Sequence, residues 1–173
     1  MRTAPSTLLL TLFGLGLSAC GYGLIGRTSN LPADIQNIYV APLQNQTTRS
    51  QVDLLLTRAI IDELVTRRRF DVVSGRDKSD AVLSGELTEF TVRPVTFDSE
   101  GRATEYEIQI RADMNFKRPD TGEMIWERAQ YSFRESYEIE IDQVAYFDPE
   151  DETIEQVAEE FAETLVIDLL EGF

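Results

Sequence analysis

Histidine is absent from this 173-residue chain, and cysteine occurs once, at Cys20. Without imidazole the commonest general base and metal ligand is missing, so Ser-His-Asp, Cys-His and thiolate-zinc chemistry is excluded. The sequence also holds no glycine-rich phosphate loop, EF-hand loop or dinucleotide fingerprint. Basic residues are short: 16 Lys and Arg stand against 31 Asp and Glu, a net charge of −15. Such a balance argues against nucleic acid as a partner, because phosphates are repelled. It also disfavours a purely electrostatic hold on anionic lipid. Long apolar runs are lacking as well, since the stretch from Leu8 to Leu17 falls well short of the ~20 residues a spanning helix needs. The carboxylates themselves single out no enzyme, because 31 of them guarantee many pairs by chance. Glu105 and Glu107, about 7 Å apart on one strand face, read as solvated side chains.

What is present at the amino end is an address. Met1-Arg2 gives a positive start, Leu8 to Leu17 an apolar core, and Leu17-Ser18-Ala19-Cys20-Gly21 small residues closing on the cysteine. This reads as a bacterial lipoprotein signal covering residues 1–19. Cleavage is expected to free Cys20 as the new amino terminus, carrying a diacylglycerol thioether and an N-acyl chain and no other cofactor. Lipid chains contribute ~0.8 kcal/mol per buried methylene, so two or more give a stable hold on a bilayer. Gly21, in place of an acidic retention residue, points to the periplasmic side of the outer membrane. Removing residues 1–19 leaves 154 (173 − 19), and losing Arg2 leaves 15 basic against 31 acidic residues, a net of −16. A chain of this size buries roughly 70% of its unfolded surface, so one domain folds without the disulfides that a lone cysteine cannot supply.

Residues 20–34 are glycine-rich without sustained period and read as a lipidated tether; residues 35–173 read as a single domain. Ile38-Tyr39-Val40-Ala41, ended by Pro42, predicts a first strand. Ser50-Gln51-Val52-Asp53 has the form of a capping box, and Val52, Leu55, Leu56, Ala59, Ile60 and Leu64 follow at helical spacing. Arg67-Arg68-Arg69 closes that helix, where cations favour the macrodipole. Phe70 to Val73 is a short strand candidate. Ala81 to Phe97 reads as a long strand whose apolar phase slips, which predicts bulges, with Pro94 at one of them or at an unpaired edge.

After a turn at Asp98-Ser99-Glu100-Gly101-Arg102, Tyr106, Ile108, Ile110, Ala112, Met114 and Phe116 alternate with polar residues without a break. One face is core and the other is wet. Beyond the Pro119 to Gly122 turn, the next strand is expected to place Ile125, Ala129, Tyr131, Phe133 and Tyr137 on one side. Arg128, Gln130, Ser132 and Arg134 fall on the other. Trp126 lies out of phase with the core-facing set. It reads either as an exposed partner anchor, with Arg128 and Arg134 as further partner-facing residues, or as a ring packed under a loop. Asp148-Pro149 is expected to open a last helix with Ile154, Val157, Ala158, Phe161, Ala162, Leu165, Val166 and Leu169 as its apolar stripe. The expected fold is α+β: a two-layer β-α-β-β-β-α sandwich, with both helices on one face of a mixed, mainly antiparallel four-stranded sheet. The other sheet face has no cover from its own chain.

Several short motifs recur here in a familiar order. They are Cys20-Gly21-Tyr22-Gly23-Leu24, Leu31-Pro32 ahead of Ile38-Tyr39-Val40, Asp80-Ala81-Val82-Leu83-Ser84-Gly85 and Ala103-Thr104-Glu105-Tyr106. Gly122-Glu123-Met124-Ile125-Trp126 and the helix from Ala158 to Leu170 complete the set. In this order and spacing the chain resembles the LptE-type lipopolysaccharide-assembly lipoproteins. The resemblance implies an outer-membrane-anchored sandwich docked in the lumen of a large LptD-type β-barrel. There it plugs the barrel, helps it assemble and contacts lipopolysaccharide, by binding and gating without bond chemistry. Family members carry a basic residue at the hairpin tip, whereas Asp98-Ser99-Glu100 stands here. That departure removes the family's basic tip, and any phosphate contact is expected instead from Arg102, with Arg93 and Arg111, since a local cluster binds phosphate in an acidic protein. The acidic stretch from Asp142 to Glu152 is a second departure.

Two other readings compete. An activator of a peptidoglycan synthase needs a long reach across the periplasm, and a tether of about fourteen residues spans at most ~50 Å. A carboxylate-dependent glycoside hydrolase needs a deep cleft, for which a two-layer sandwich offers little room.

Overall fold

Strict alternation from Tyr106 to Phe116 produces the backbone of the molecule. Strand β5 (Ala103–Lys117) lies at the centre of an antiparallel trio with β4 (Ala81–Phe97) and β6 (Met124–Glu138). The structure, a computed structural model, describes residues 31–138 and 151–171. The signal, Cys20, most of the tether, the Asp148-Pro149 helix start and most of the Asp142 to Glu152 stretch lie outside the described residues. The remaining elements are β1 (Asn37–Val40), β2 (Gln44–Asn45), α1 (Val52–Arg67), β3 (Asp71–Val72), a 3₁₀ turn (Arg76–Lys78) and α2 (Asp151–Glu171). The sheet order is β3-β1-β4-β5-β6, and β2 also pairs with β4. β1, β2 and β3 run parallel to their neighbours, and the later pairs are antiparallel. The sandwich is thus the expected α+β arrangement, widened by the two-residue strands β2 and β3.

The core forms where both helices meet the even-numbered face of β5. Ile108, Phe116, Leu83 and Leu87 from the sheet, and Leu56, Ile60, Leu64, Phe161, Leu165 and Leu169 from the helices, are all fully buried. Tyr131 and Phe133 meet the Phe161 ring edge-on, at centroid distances of 5.6 and 5.9 Å. Gly85 lies opposite Met114 in this layer, and its missing side chain is what lets β5 approach.

Register shifts in β4 at Leu87/Glu89, Pro94/Thr96 and Thr96/Phe97 match the slips read from the sequence, with Pro94 at the edge of one bulge. The start of α1 departs from expectation. Gln51 sits at its N-cap with φ of 68° and no side-chain cap. Asp53, expected to close a capping box, instead accepts a hydrogen bond from Asn45 Nδ2 at 3.1 Å, because Asn45 organises the preceding loop through Arg49 and Thr47. A buried threonine, not foreseen from the pattern, compensates inside the helix. Thr57 Oγ1 accepts from the Leu43 N–H at 3.0 Å and donates to the Asp53 carbonyl at 2.6 Å.

The second correction concerns β6. Met114 pairs with Arg128 and Ala112 with Tyr131, so Ala129 and Gln130 together oppose Asp113. Gln130 takes φ of 54° and donates its N–H to Asp113 Oδ1 at 2.7 Å. This bulge flips the side-chain phase. Trp126 and Arg128 therefore join Tyr131, Phe133 and Tyr137 on the helix side, and Ala129 is exposed.

Candidate functional site

Three strands supply a broad polar face turned away from the helices. It is built from the odd-numbered residues of β5, from Glu105 to Lys117, and their register partners on β4 and β6. Much of its charge is neutralised across strands. Arg93 Nη2 lies 2.6 Å from Glu107, and Arg111 Nη1 lies 2.8 Å from Glu89. With its amide turned to suit, Gln109 accepts from both Nε and Nη2 of Arg111 at 2.9 Å each, and this residue is only 6% exposed. Glu105 accepts from Thr96 Oγ1 at 2.6 Å. The two carboxylates of the Glu105/Glu107 pair are thus held by separate partners on an open sheet.

At the far end of this face the β4–β5 hairpin closes on itself. Gly101, at φ of 79°, makes the turn, and Asp98 Oδ1 accepts the backbone N–H groups of Glu100 and Arg102 at 2.9 Å each. These bonds, the Arg102 backbone bond first and then its guanidinium, hold the Asp98 carboxyl below the usual carboxylate range. Arg102 reaches Asp98 at 2.8 Å and Glu100 at 3.0 Å. Near it, Val95 and Phe97 stand 41% and 56% exposed, and Tyr106 stacks on Tyr137 with ring centroids 6.1 Å apart.

Each residue singled out from the sequence can now be placed. Arg93 and Arg111 share the polar face, Arg102 sits at the hairpin, and all three are already paired to carboxylates. Arg134 lies opposite Gln109 on the same face, exposed and with no ion pair to a described residue. Trp126 is not an exposed partner anchor, since it is 7% exposed on the helix side, with Arg128 stacked 5.6 Å from its ring. Arg128 is likewise not turned outward: it grips Asp168 of α2 through Nε at 2.9 Å and Nη2 at 3.1 Å. Burial first, and then the Asp168 charge, pushes the neighbouring Tyr131 hydroxyl up to about 12. Among the described residues no cluster of Cys, Asp or Glu is arranged to hold a metal ion. No described helix is long and apolar enough to cross a membrane.

The family described as Lipopolysaccharide-assembly, LptE, matches residues 35–169. A comparison with curated proteins gives no match. Among solved structures, a variant PelC dodecamer from Paraburkholderia phytofirmans is similar at 15% identity, over 83% of this chain and 95% of that one, with a TM-score of 0.50. That likeness shows the fold alone. Lipoprotein B from Nitrosomonas europaea is 17% identical over 87% of this chain and 88% of its own, at a TM-score of 0.47. The rare lipoprotein B from Shewanella oneidensis is 13% identical over 76% and 89%, at 0.42.

Proposed function

Because the chain belongs to the LptE lipopolysaccharide-assembly family, we propose that it is an outer-membrane lipoprotein that enters and plugs the lipopolysaccharide-translocating β-barrel. In this role it assists barrel assembly and the insertion of lipopolysaccharide into the outer leaflet. The observation that carries the reading beyond the family is the polar sheet face, which none of the described helices covers. Large outer-membrane barrels have polar interiors. Arg93 and Arg111 on this face already pair with carboxylates and keep those partners against a lumen wall, while Arg134 stays open to a group of the barrel. Helices cover the opposite side, so the apolar core stays sealed. The mechanism is recognition and occlusion, with no bond made or broken.

We assign lipopolysaccharide contact to Arg102 at the hairpin, with Arg93 and Arg111 on the adjoining sheet face. Their existing ion pairs do not oppose this. Exposed pairs are worth ~0–1 kcal/mol, and a phosphate offers the same guanidinium a more highly charged, bidentate acceptor. Two experiments test the two halves. A photo-crosslinker in place of Arg134 is expected to capture a large outer-membrane barrel in intact cells, and capture of soluble periplasmic proteins alone would sink the assigned face. Arg102→Glu is expected to weaken lipopolysaccharide binding by the purified protein, and an unchanged affinity would remove that residue from the contact.

A further inference from the structure

Away from the polar face and the hairpin, a group of bases lies at the opposite end of the molecule. α1 runs down to Arg67, and Arg68 ends it with φ of 52°. The chain then turns through Arg69 into the edge strand β3, whose Asp71 pairs with Asn37 at the start of β1. The 3₁₀ turn Arg76–Lys78 brings the chain back to the same end, where the Asp80 N–H bonds to the Asn37 carbonyl at 2.8 Å. Arg68, Arg69, Arg76 and Lys78 are all exposed and make no ion pair with a described residue, and Arg69 lies 5.6 Å from the Phe70 ring. Asp71 and Asp77 are exposed acids among them, and Asp120 is another beside Arg76. Asp80 is turned inward, accepting the Gln36 and Asn37 N–H groups at 3.0 and 2.8 Å. Asp34 and Asp120 line the same hollow as Arg76 and Asp80, with Asp34 tied to Arg118, so this edge carries four bases against three exposed acids, Asp71, Asp77 and Asp120, that make no ion pair with a described residue.

Its location gives the patch a partner. The described chain starts at Leu31 on this same end, where Asp34 is tied to Arg118 at 2.8 Å. Ten residues separate Leu31 from Cys20, a reach of at most ~40 Å over the eleven Cα–Cα steps. The hairpin tip, with Asp98 and Glu100, lies at the other end of β4, roughly 50 Å away at the rise of an extended strand. Four exposed bases without an ion pair to a described residue thus lie beside the tether, and an acidic tip lies remote from it. We infer that the Arg68, Arg69, Arg76 and Lys78 edge rests on anionic phospholipid headgroups of the leaflet that holds the Cys20 lipid, before the barrel captures the protein. This contact rests on the anchoring proposed above and orients the protein with its hairpin pointing away from the bilayer. Each base near an anionic surface is worth ~1 kcal/mol, and screening within ~8 Å leaves the distant carboxylates with little opposing effect.

The test uses the lipidated full chain in barrel-free vesicles of phosphatidylcholine, with or without phosphatidylglycerol. With Cys20 modified, a single introduced cysteine takes one fluorophore, at Ser74→Cys beside the patch or at Ser99→Cys on the hairpin. Quenching by headgroup-labelled lipid is expected to rise about threefold at position 74 when phosphatidylglycerol is present, given the per-base attraction. It is expected to stay low at position 99 and to fall back in high salt. The double charge reversal Arg68→Glu with Arg69→Glu, and independently Arg76→Gln with Lys78→Gln, should return quenching at position 74 towards the phosphatidylcholine level. Quenching that ignores phosphatidylglycerol, or is stronger at position 99, overturns the inference. Failure of the anchor is read separately, as loss of capture by phosphatidylcholine vesicles with no lipid mass on Cys20.

Discussion

Gly85→Ala probes a close approach between β4 and β5. A β-carbon built on Gly85 falls 2.8 Å from the Asp113 carbonyl oxygen, with Met114 Sδ and Cε also inside contact distance. The thioether is the free end of a flexible side chain and can swing aside, but the carbonyl belongs to the paired backbone of β5 and cannot. Overpacking of this kind costs about 1–3 kcal/mol. Loss of chain entropy in the unfolded state returns about 0.4–1 kcal/mol where the backbone tolerates alanine. The net expectation is a loss of about 1–2 kcal/mol, which lowers Tm by roughly 3–6 °C for a domain of this size. Urea unfolding should show a lower midpoint with an unchanged slope, because the surface exposed does not change. Adding Met114→Ala separates the two contacts: if the carbonyl dominates, the alanine at position 85 remains costly in the Met114→Ala background. A Gly85→Ala protein as stable as the parent would refute the reasoning, since the close approach would then not depend on glycine.

Three further expectations follow from particular contacts. Removing either partner of the Arg128–Asp168 pair should cost about 1.5–3 kcal/mol, as for hydrogen bonds to charged groups. Because Arg128 stacks on the single tryptophan, Arg128→Met should also shift Trp126 emission where Asp168→Asn shifts it less; identical spectra would contradict the stacking. Asp80 is held below the usual carboxylate range, first by the Asn37 N–H and then by the Gln36 N–H. A lowered folded-state value stabilises above the unfolded pKa of ~3.9 and is lost as pH falls through the folded value. The stability gap between the parent and Asp80→Asn should therefore be full near neutrality and close on acidification below about pH 4; a constant gap in pH-dependent unfolding would contradict it.

How much of this was legible in the sequence depends on whether local pattern or remote pairing decided each element. β5 and the apolar stripe of α2 were readable because every residue obeys one period against a single large core. The β4 bulges were readable from phase slips, since an extra residue moves the apolar set to the other face. The β6 bulge was not, because it rests on a left-handed glutamine whose N–H is caught by Asp113 on the neighbouring strand, and no glycine marks it. That one unreadable residue misplaced Trp126 and Arg128. The α1 cap failed for a similar reason, with Asp53 drawn to Asn45 across the loop. At the candidate site, the arginines were legible as residues, while their pairing to Glu107, Glu89 and Asp98 depended on register and turn geometry.

Stoichiometric co-purification tests the central claim most directly. The lipidated protein is extracted from outer membranes in mild detergent, isolated through a tag placed beyond α2, and the mass of what accompanies it is measured. A single large outer-membrane β-barrel in one-to-one ratio, stable through size exclusion, is the expected result. Isolation of the protein alone, or together with a peptidoglycan synthase, would contradict the assignment as a barrel plug.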